Sequence, residues 1–144
     1  MQKIVIDTNV IVSALIQKNY PFLILDELFF ENKILLCTSE ELMQEYFEVL
    51  SRPKFSRYQD FVSNAESIFA EIGYRSEIYK PSIKLNIISD KDDNMILELA
   101  EESKADFIIT GNTNDFTMNK HKKTKIVTPK EYWENYFSSI KFNF

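Results

Sequence analysis

The sequence predicts an α/β fold, a three-layer sandwich in which a central, mostly parallel β-sheet is flanked by helices. Short apolar runs rich in β-branched residues alternate with segments whose apolar residues recur at helical spacing. Parallel neighbouring strands need crossover connections, and the helical segments provide them. Acidic or polar residues directly follow three of the apolar runs, where ligands gather in such sheets.

The first half of the chain alternates predicted strands and helices. The elements, in order, are a strand at 4–6, a helix over 10–15, a helix from 21 to about 32, a strand at 34–37, a helix from 38 to 50 and a helix from 56 to about 72. Asp7 falls at the first strand-to-helix junction, and Thr8 or Asn9 is the expected cap of that helix. Pro53 is expected to end the helix over 38–50, and Gly73 is the expected stop of the helix that starts at 56.

The second half begins with the least clear stretch, residues 74–89. A helix is predicted over 92–104, strands at 107–110 and 125–127, and a closing helix that starts at Pro129. No internal repeat or linker interrupts the 144 residues, a length that suits one domain. A single domain over 1–144 is therefore predicted.

Composition excludes several classes of protein. Hydrophobic residues make up 44% and charged residues 27%, and no apolar run approaches the ~18 residues that a membrane span needs. The amino terminus lacks a signal-peptide pattern, so a cytoplasmic protein without membrane contact is expected. Cys37 has no partner in the chain and is expected in the core. His121 lies among lysines, which argues against a catalytic triad.

The charge distribution leaves two interpretations open. A net charge of −5 argues against nucleic-acid binding by bulk electrostatics. Between residues 116 and 130, however, there are five lysines and no acid, and Arg52, Lys54 and Arg57 cluster around Pro53. These runs are either solvated loops or, beside an acidic pocket, guides for a polyanion.

The acidic residues carry the strongest functional signal. Carboxylates gathered in one pocket repel one another without a cation, and hard oxygen ligands select Mg²⁺ or Mn²⁺. Glu45 lies at the margin of an apolar helical stripe and has no simple structural role, whereas Glu40 and Glu41 suit the start of their helix. Capping explains an Asp-rich helix start equally well, and periodicity does not choose among residues 90, 92 and 93.

Together these motifs resemble the PIN domain family. The resemblance rests on Asp7-Thr8-Asn9, on Glu45 within 39–46, on Asp93 before the apolar segment 95–100, and on residues 105–112. Within that family the chain is similar to the bacterial toxin components of toxin–antitoxin systems, the VapC-like ribonucleases, and the segment 50–55 suits that subgroup.

The resemblance implies a Mg²⁺- or Mn²⁺-dependent ribonuclease that leaves a 5′ phosphate and a 3′ hydroxyl. It carries over Asp7, Glu45 and Asp93 as catalytic and metal-binding acids. The family often has a fourth acid two residues after the threonine, where this chain has Asn112, so Asp115 is the expected substitute.

Supporting residues and partners follow from the same resemblance. Thr8, Asn9, Thr110 and Asn112 are expected to orient phosphate or the acidic ligands, although capping explains Thr8 and Asn9 equally well. The expected partners are RNA, a cognate antitoxin protein and a second copy of the chain in a homodimer.

Two other functions remain open at this point. One is a catalytically weakened PIN fold that acts as a binding module, because Asn112 and Asn114 stand where acids are expected. The other is a haloacid-dehalogenase-like phosphatase, which also has an aspartate after its first strand. That class needs a second aspartate two residues later, where this chain has Asn9.

Overall fold

The computed structural model describes residues 1–88, 90–111, 116 and 118–137. Its strands are β1 (Gln2–Ile6), β2 (Ile34–Ser39), β3 (Glu77–Tyr79), β4 (Phe107–Ile109), β5 (Lys120–His121) and β6 (Thr124–Val127). Its α-helices are α1 (Thr8–Ile16), α2 (Tyr20–Leu23), α3 (Glu40–Leu50), α4 (Phe61–Arg75), α5 (Lys91–Ser103) and α6 (Pro129–Glu131). A 3₁₀ turn spans Pro53–Phe55, and π-helical segments extend α2 over Ile24–Phe29 and α6 over Tyr132–Tyr136.

The strands form one six-stranded sheet in the order β3-β2-β1-β4-β6-β5. All neighbouring strands are parallel except β5 and β6. The chain leaves β1 toward one edge of the sheet and leaves β4 toward the other, so β1 and β4 flank a topological switch point. The predicted α/β class with a mostly parallel, helix-flanked sheet is confirmed.

The two central strands have the most buried side chains. Ile4, Val5 and Ile6 of β1 are at most 1% exposed, and Ile108 and Ile109 of β4 are fully buried. Because helices cover both faces of these strands, none of these side chains faces water and the sequence lacks an alternating polar pattern here. The predicted core position of Cys37 is confirmed, and burial raises the pKa of its thiol.

α4 differs from its prediction at both ends. It begins at Phe61 rather than near Ser56, after Asp60 has taken a left-handed conformation with φ 62°. It then continues through Gly73 to Arg75, so the expected stop at Gly73 is wrong. Arg75 donates hydrogen bonds to Glu71 at 2.6 Å and to the Phe30 carbonyl at 3.0 Å, and these contacts hold the last turn.

Two short strands carry too few residues to be visible in the sequence pattern. β3 pairs with β2 inside the stretch that the sequence left unassigned. β5 forms a hairpin with β6, and this places His121 in the interior, 8% exposed and 3.2 Å from the Glu101 carboxylate. His121 is thus a buried partner of Glu101 and not a surface-loop residue.

A helix that spans a membrane needs about 18 or more largely apolar residues. Among the described residues, no helix is long and apolar enough to cross a membrane.

Candidate active site

Asp7 is fixed at the carboxyl end of β1. It is itself the N-cap of α1, a place that the sequence assigned to Thr8 or Asn9, and its Oδ1 accepts from the Thr8 backbone N–H at 2.8 Å. Oδ2 accepts from the Thr110 hydroxyl at 2.8 Å, and the Asp7 backbone N–H donates to the Ile109 carbonyl at 2.9 Å. Both carboxylate oxygens are therefore oriented by residues that follow the two strands at the switch point.

Thr110 and Asn9 support this corner from two sides. Thr110 is fully buried after β4, and its backbone N–H donates to the Val127 carbonyl at 3.0 Å. A Cβ built on Gly111 would lie 3.7 Å from Asn9 Oδ1, so the Asn9 amide lies beside the segment that follows β4. The structure thus brings the predicted supporting residues Thr8, Asn9 and Thr110 to Asp7.

Glu45 reaches the same corner from α3. That helix begins at Ser39, whose hydroxyl accepts from the Leu42 backbone N–H at 3.1 Å, and Tyr46 packs beneath it with 1% exposure. The Thr8 hydroxyl donates a hydrogen bond to Glu45 Oε2. Through this hydrogen bond Thr8, the residue that follows Asp7, links α1 to Glu45 on α3.

The electrostatic state of Glu45 reflects its burial first and the neighbouring acids second. Burial, followed by the charges of Asp92 and Asp7, raises the pKa of Glu45 from 4.5 to about 7, against the opposing effect of the Thr8 hydrogen bond. A shift in this direction means that the pocket disfavours one more negative charge. The pocket is therefore suited to a cation.

The three aspartates at the start of α5 have different roles. Asp90 is the N-cap, and its side chain accepts from the Asp92 backbone N–H at 2.8 Å, as the capping interpretation requires. Asp92 is exposed, and its charge acts on Glu45. Asp93 is 8% exposed and faces the same cleft. The structure therefore brings all three aspartates to the cleft.

Asn94 is a positioning residue that the sequence analysis missed. Its side-chain oxygen accepts from the backbone N–H groups of Ile87 at 3.1 Å and Ile88 at 2.9 Å, and its amide donates back to the Asp90 carbonyl at 3.2 Å. These bonds tie the segment before α5 to its first turn. An apolar stripe gives no sign of such a role, because Asn94 lies beside the acids rather than within the stripe.

The acids after β1, on α3 and at the start of α5 line one open cleft of about 410 Å³. Its acidic walls are formed by Asp7, Glu45, Asp90, Asp92 and Asp93, with Thr8, Asn9, Val12, Ser13, Val49, Arg52 and Phe55 completing it. Thr110 holds Asp7 from behind. The predicted site residues Asn112 and Asp115 lie outside the described residues.

Arg52 is the cationic member of the cleft, and Phe55 is its aromatic one. The sequence placed Arg52 in a basic cluster but did not assign it to the acidic pocket. α3 ends at Leu50, and Arg52 after it has an extended backbone with φ −67° and ψ 131°. Helical spacing therefore does not relate Arg52 to Glu45, and periodicity carries no signal for its place in the cleft.

The donor set suits a divalent ion. In the part of the chain that the structure describes, no group of three His, Cys, Asp or Glu side chains forms a ready metal cluster. Mg²⁺ does not require one, because it is commonly bound through one or two carboxylates and keeps several waters. Hard carboxylate oxygens and a pocket that raises the pKa of Glu45 both fit such an ion.

Two comparisons with known proteins bear on this site. The family model described as PIN domain matches residues 3–114, a span that includes every acid in the cleft. An uncharacterized protein of Methanocaldococcus jannaschii, MJ1680, is 40% identical over 144 residues, covering 93% of this chain and 91% of that protein.

Proposed function

The chain belongs to the PIN domain family, whose members are generally nucleases, and from that premise we propose that it is a metal-dependent endoribonuclease. The observation that carries the proposal is the meeting of Asp7, Glu45 and Asp93 in one cleft beside the switch point of the sheet. Asp7 follows β1, whereas Glu45 and Asp93 lie on α3 and α5, and a cation in the cleft would offset the repulsion among these three acids.

Each acid has a proposed role. Asp7 and Asp93 would hold Mg²⁺ or Mn²⁺, with Glu45 and Asp115 in support directly or through water. Such an ion, when bound, would supply an activated water molecule and positive charge beside the scissile phosphate of RNA. Cleavage leaves a 5′ phosphate and a 3′ hydroxyl.

The chain's own hydrogen bonds prepare this chemistry. The Thr110 hydroxyl and the Thr8 backbone N–H each donate a 2.8 Å hydrogen bond to one oxygen of Asp7. The carboxylate is therefore already oriented when it binds a ligand. The Thr8 hydroxyl restrains Glu45 in the same way. Asn9 and Asn112 are proposed to orient the substrate phosphate.

The biological role proposed is that of the toxin in a type II toxin–antitoxin pair. It is supported by the segment 50–55, which resembles that subgroup, and by the adjacent metal cleft to which Arg52 and Phe55 contribute. On this proposal the chain is a single cytoplasmic PIN-like domain over 1–144 that forms a homodimer and is silenced by a cognate antitoxin protein. Co-expression with the product of the adjacent open reading frame tests it, since a true antitoxin relieves growth arrest and co-purifies with the chain.

The nuclease proposal is tested with a mixed pool of single-stranded RNA. We expect cleavage with Mn²⁺ or Mg²⁺, none with EDTA, and none by an Asp7→Asn/Asp93→Asn double variant. The control is Asp26→Asn/Glu27→Gln, which also removes two acidic charges, both of them exposed and outside the cleft. Cleavage that survives in EDTA or in the double variant contradicts the proposal.

A weakened PIN fold that only binds is the second candidate. It is favoured by Asn112 in a place where the family often has an acid. Mn²⁺ titration separates the two functions, because a nuclease binds Mn²⁺ with a dissociation constant near the millimolar range or tighter. If the site is weakened by Asn112, the Asn112→Asp variant should bind Mn²⁺ more tightly than the unaltered protein. The phosphatase alternative is not proposed, since the family match supports the PIN fold and Asn9 lacks the carboxylate that a phosphatase needs.

A further inference from the structure

A second cleft of about 360 Å³ runs between α3 and α4 beside the acidic one. Its walls are mainly apolar and aromatic, with Phe47 and Leu50 from α3 and Phe61, Val62 and Phe69 from α4. Phe47 is 61% exposed and Val62 is 54% exposed, although both are large apolar side chains. An exposed aromatic residue in a concave surface indicates a place where a ligand binds.

The geometry of the aromatic rings leaves Phe47 accessible. Its ring rests against Phe69 with centroids 5.7 Å apart and planes inclined by 56°. Beneath it, Phe61 is buried and stacks on Phe55 with centroids 5.1 Å apart and planes 25° apart. Phe55 also lines the acidic cleft, so a stacked aromatic pair connects the two clefts.

Arg52 lines both clefts. Its guanidinium is 3.3 Å from the Glu48 carboxylate, but the two side chains are 47% and 72% exposed. An exposed i,i+4 ion pair contributes little free energy, so Arg52 can exchange Glu48 for another anion at small cost. The exposed Lys54 and Arg57 add two positive charges in the same segment of this acidic chain.

We propose that this second cleft is a nucleotide subsite for single-stranded RNA. A phosphate next to the scissile one binds Arg52, and the unpaired base attached to it stacks on Phe47. The inference rests on the proposed nuclease function, because it places this nucleotide beside the bond that is cut.

Three features favour RNA over another occupant. A phosphate needs a cation at the join of the two clefts, and Arg52 is there. A base needs an exposed ring, and Phe47 provides one. Arg52 lines both clefts, so a single strand of RNA that makes these two contacts can continue into the acidic cleft.

The test measures binding of a fluorescein-labelled, mixed-sequence single-stranded RNA 10-mer to the full chain by anisotropy in EDTA. We expect Phe47→Ala to weaken binding about fivefold or more, within the range known for base stacking, and Phe47→Tyr to restore it. Tyr74→Ala, which removes an aromatic ring that is 88% exposed elsewhere on α4, is the matched control and leaves binding unchanged.

The phosphate contact has a separate readout in the salt dependence. Arg52→Gln should make the negative slope of log K against log salt shallower by about 0.7, the value for one phosphate contact on a single strand. Lys130→Gln removes an equal charge from α6 and serves as its control. Thermal melts of all variants confirm that they remain folded.

A cycle with abasic RNA locates the base. Once the cleavage site is mapped, one base is removed at each position near it. We expect one abasic position to weaken binding to the unaltered protein by about fivefold and to have no further effect on Phe47→Ala.

The possible outcomes separate this inference from the nuclease proposal. Metal-dependent cleavage with RNA binding unchanged in Phe47→Ala and Arg52→Gln overturns the subsite and leaves the nuclease standing. RNA binding that depends on Phe47 and Arg52 without cleavage under any metal supports the subsite while the nuclease proposal fails. No RNA binding, or a Phe47→Ala effect only on self-association in sedimentation, overturns the subsite.

Discussion

Glu45 makes the fold sensitive to pH in a way that can be calculated. Its pKa rises from 4.5 to about 7 because of burial and the charges of Asp92 and Asp7. Between those two pH values the folded chain binds a proton that the unfolded chain has released. The free energy of unfolding therefore falls as pH rises through this window, and the contribution present below pH 4.5 is lost above pH 7.

The size of this effect follows from the same values. At about 1.4 kcal/mol per pH unit, a rise from 4.5 to about 7 sets an upper bound of about 3 kcal/mol. Glu45 is only half-buried, so screening by water reduces this to about 1–2 kcal/mol. A Gln at this position has no charge to lose, and we therefore expect Glu45→Gln to be about 1–2 kcal/mol more stable than the unaltered protein at pH 8.

Urea unfolding in EDTA at intervals from pH 4.5 to 8 provides the measurement. The difference between the two proteins should widen with pH, and millimolar Mn²⁺ at pH 8 should stabilise the unaltered protein more than Glu45→Gln. Glu31→Gln replaces an exposed acid outside the cleft and should keep the original pH dependence. Parallel stability curves for Glu45→Gln and the unaltered protein would refute the reasoning, since every other titrating group is common to both.

Three further variants test the supporting hydrogen bonds. Thr110→Val removes the 2.8 Å hydrogen bond to Asp7, and a Mn²⁺ titration should show about 10- to 100-fold weaker binding. A Mn²⁺ affinity equal to that of the unaltered protein would contradict this role. Asn94→Ala leaves the backbone donors of Ile87 and Ile88 without their acceptor and should cost about 2–3 kcal/mol in urea unfolding, so a loss within error of zero would contradict that role. Arg75→Ala breaks exposed and half-buried bonds only and should cost about 1 kcal/mol by the same measurement, and a loss as large as that of Asn94→Ala would argue against this ranking.

The central part of the fold was predictable because burial produces a local sequence signal. Strands with continuous apolar runs and helices with a regular stripe, such as β1, β2, α3 and α5, appear within a few residues of their predicted bounds. β3 and β5 are held by pairing with neighbours that lie far away or across a tight hairpin, and two or three residues carry no period. The extension of α4 through Gly73 depends on contacts of Arg75 with the loop before β2, which no local pattern encodes.

The site was predictable at the strand ends and less so on the helices. Asp7 and Thr110 follow from the rule that ligands collect at the carboxyl ends of parallel strands. The order among Asp90, Asp92 and Asp93 depends on where α5 points its first turn, so only the structure assigns the cap to Asp90. Arg52 looked like a surface charge because the sequence does not reveal that the segment after α3 turns back toward the acids.

The two outer strands of the sheet affect how molecules meet one another. β3 has three residues and β5 has two, and they carry the exposed charges of Glu77 and Lys120. An edge strand this short offers an incoming strand few hydrogen bonds, and its charges discourage close approach. Pairing of the sheets of two molecules edge to edge is therefore disfavoured, and this protects the protein against aggregation while it is being made. We expect copies that associate to do so through their helices.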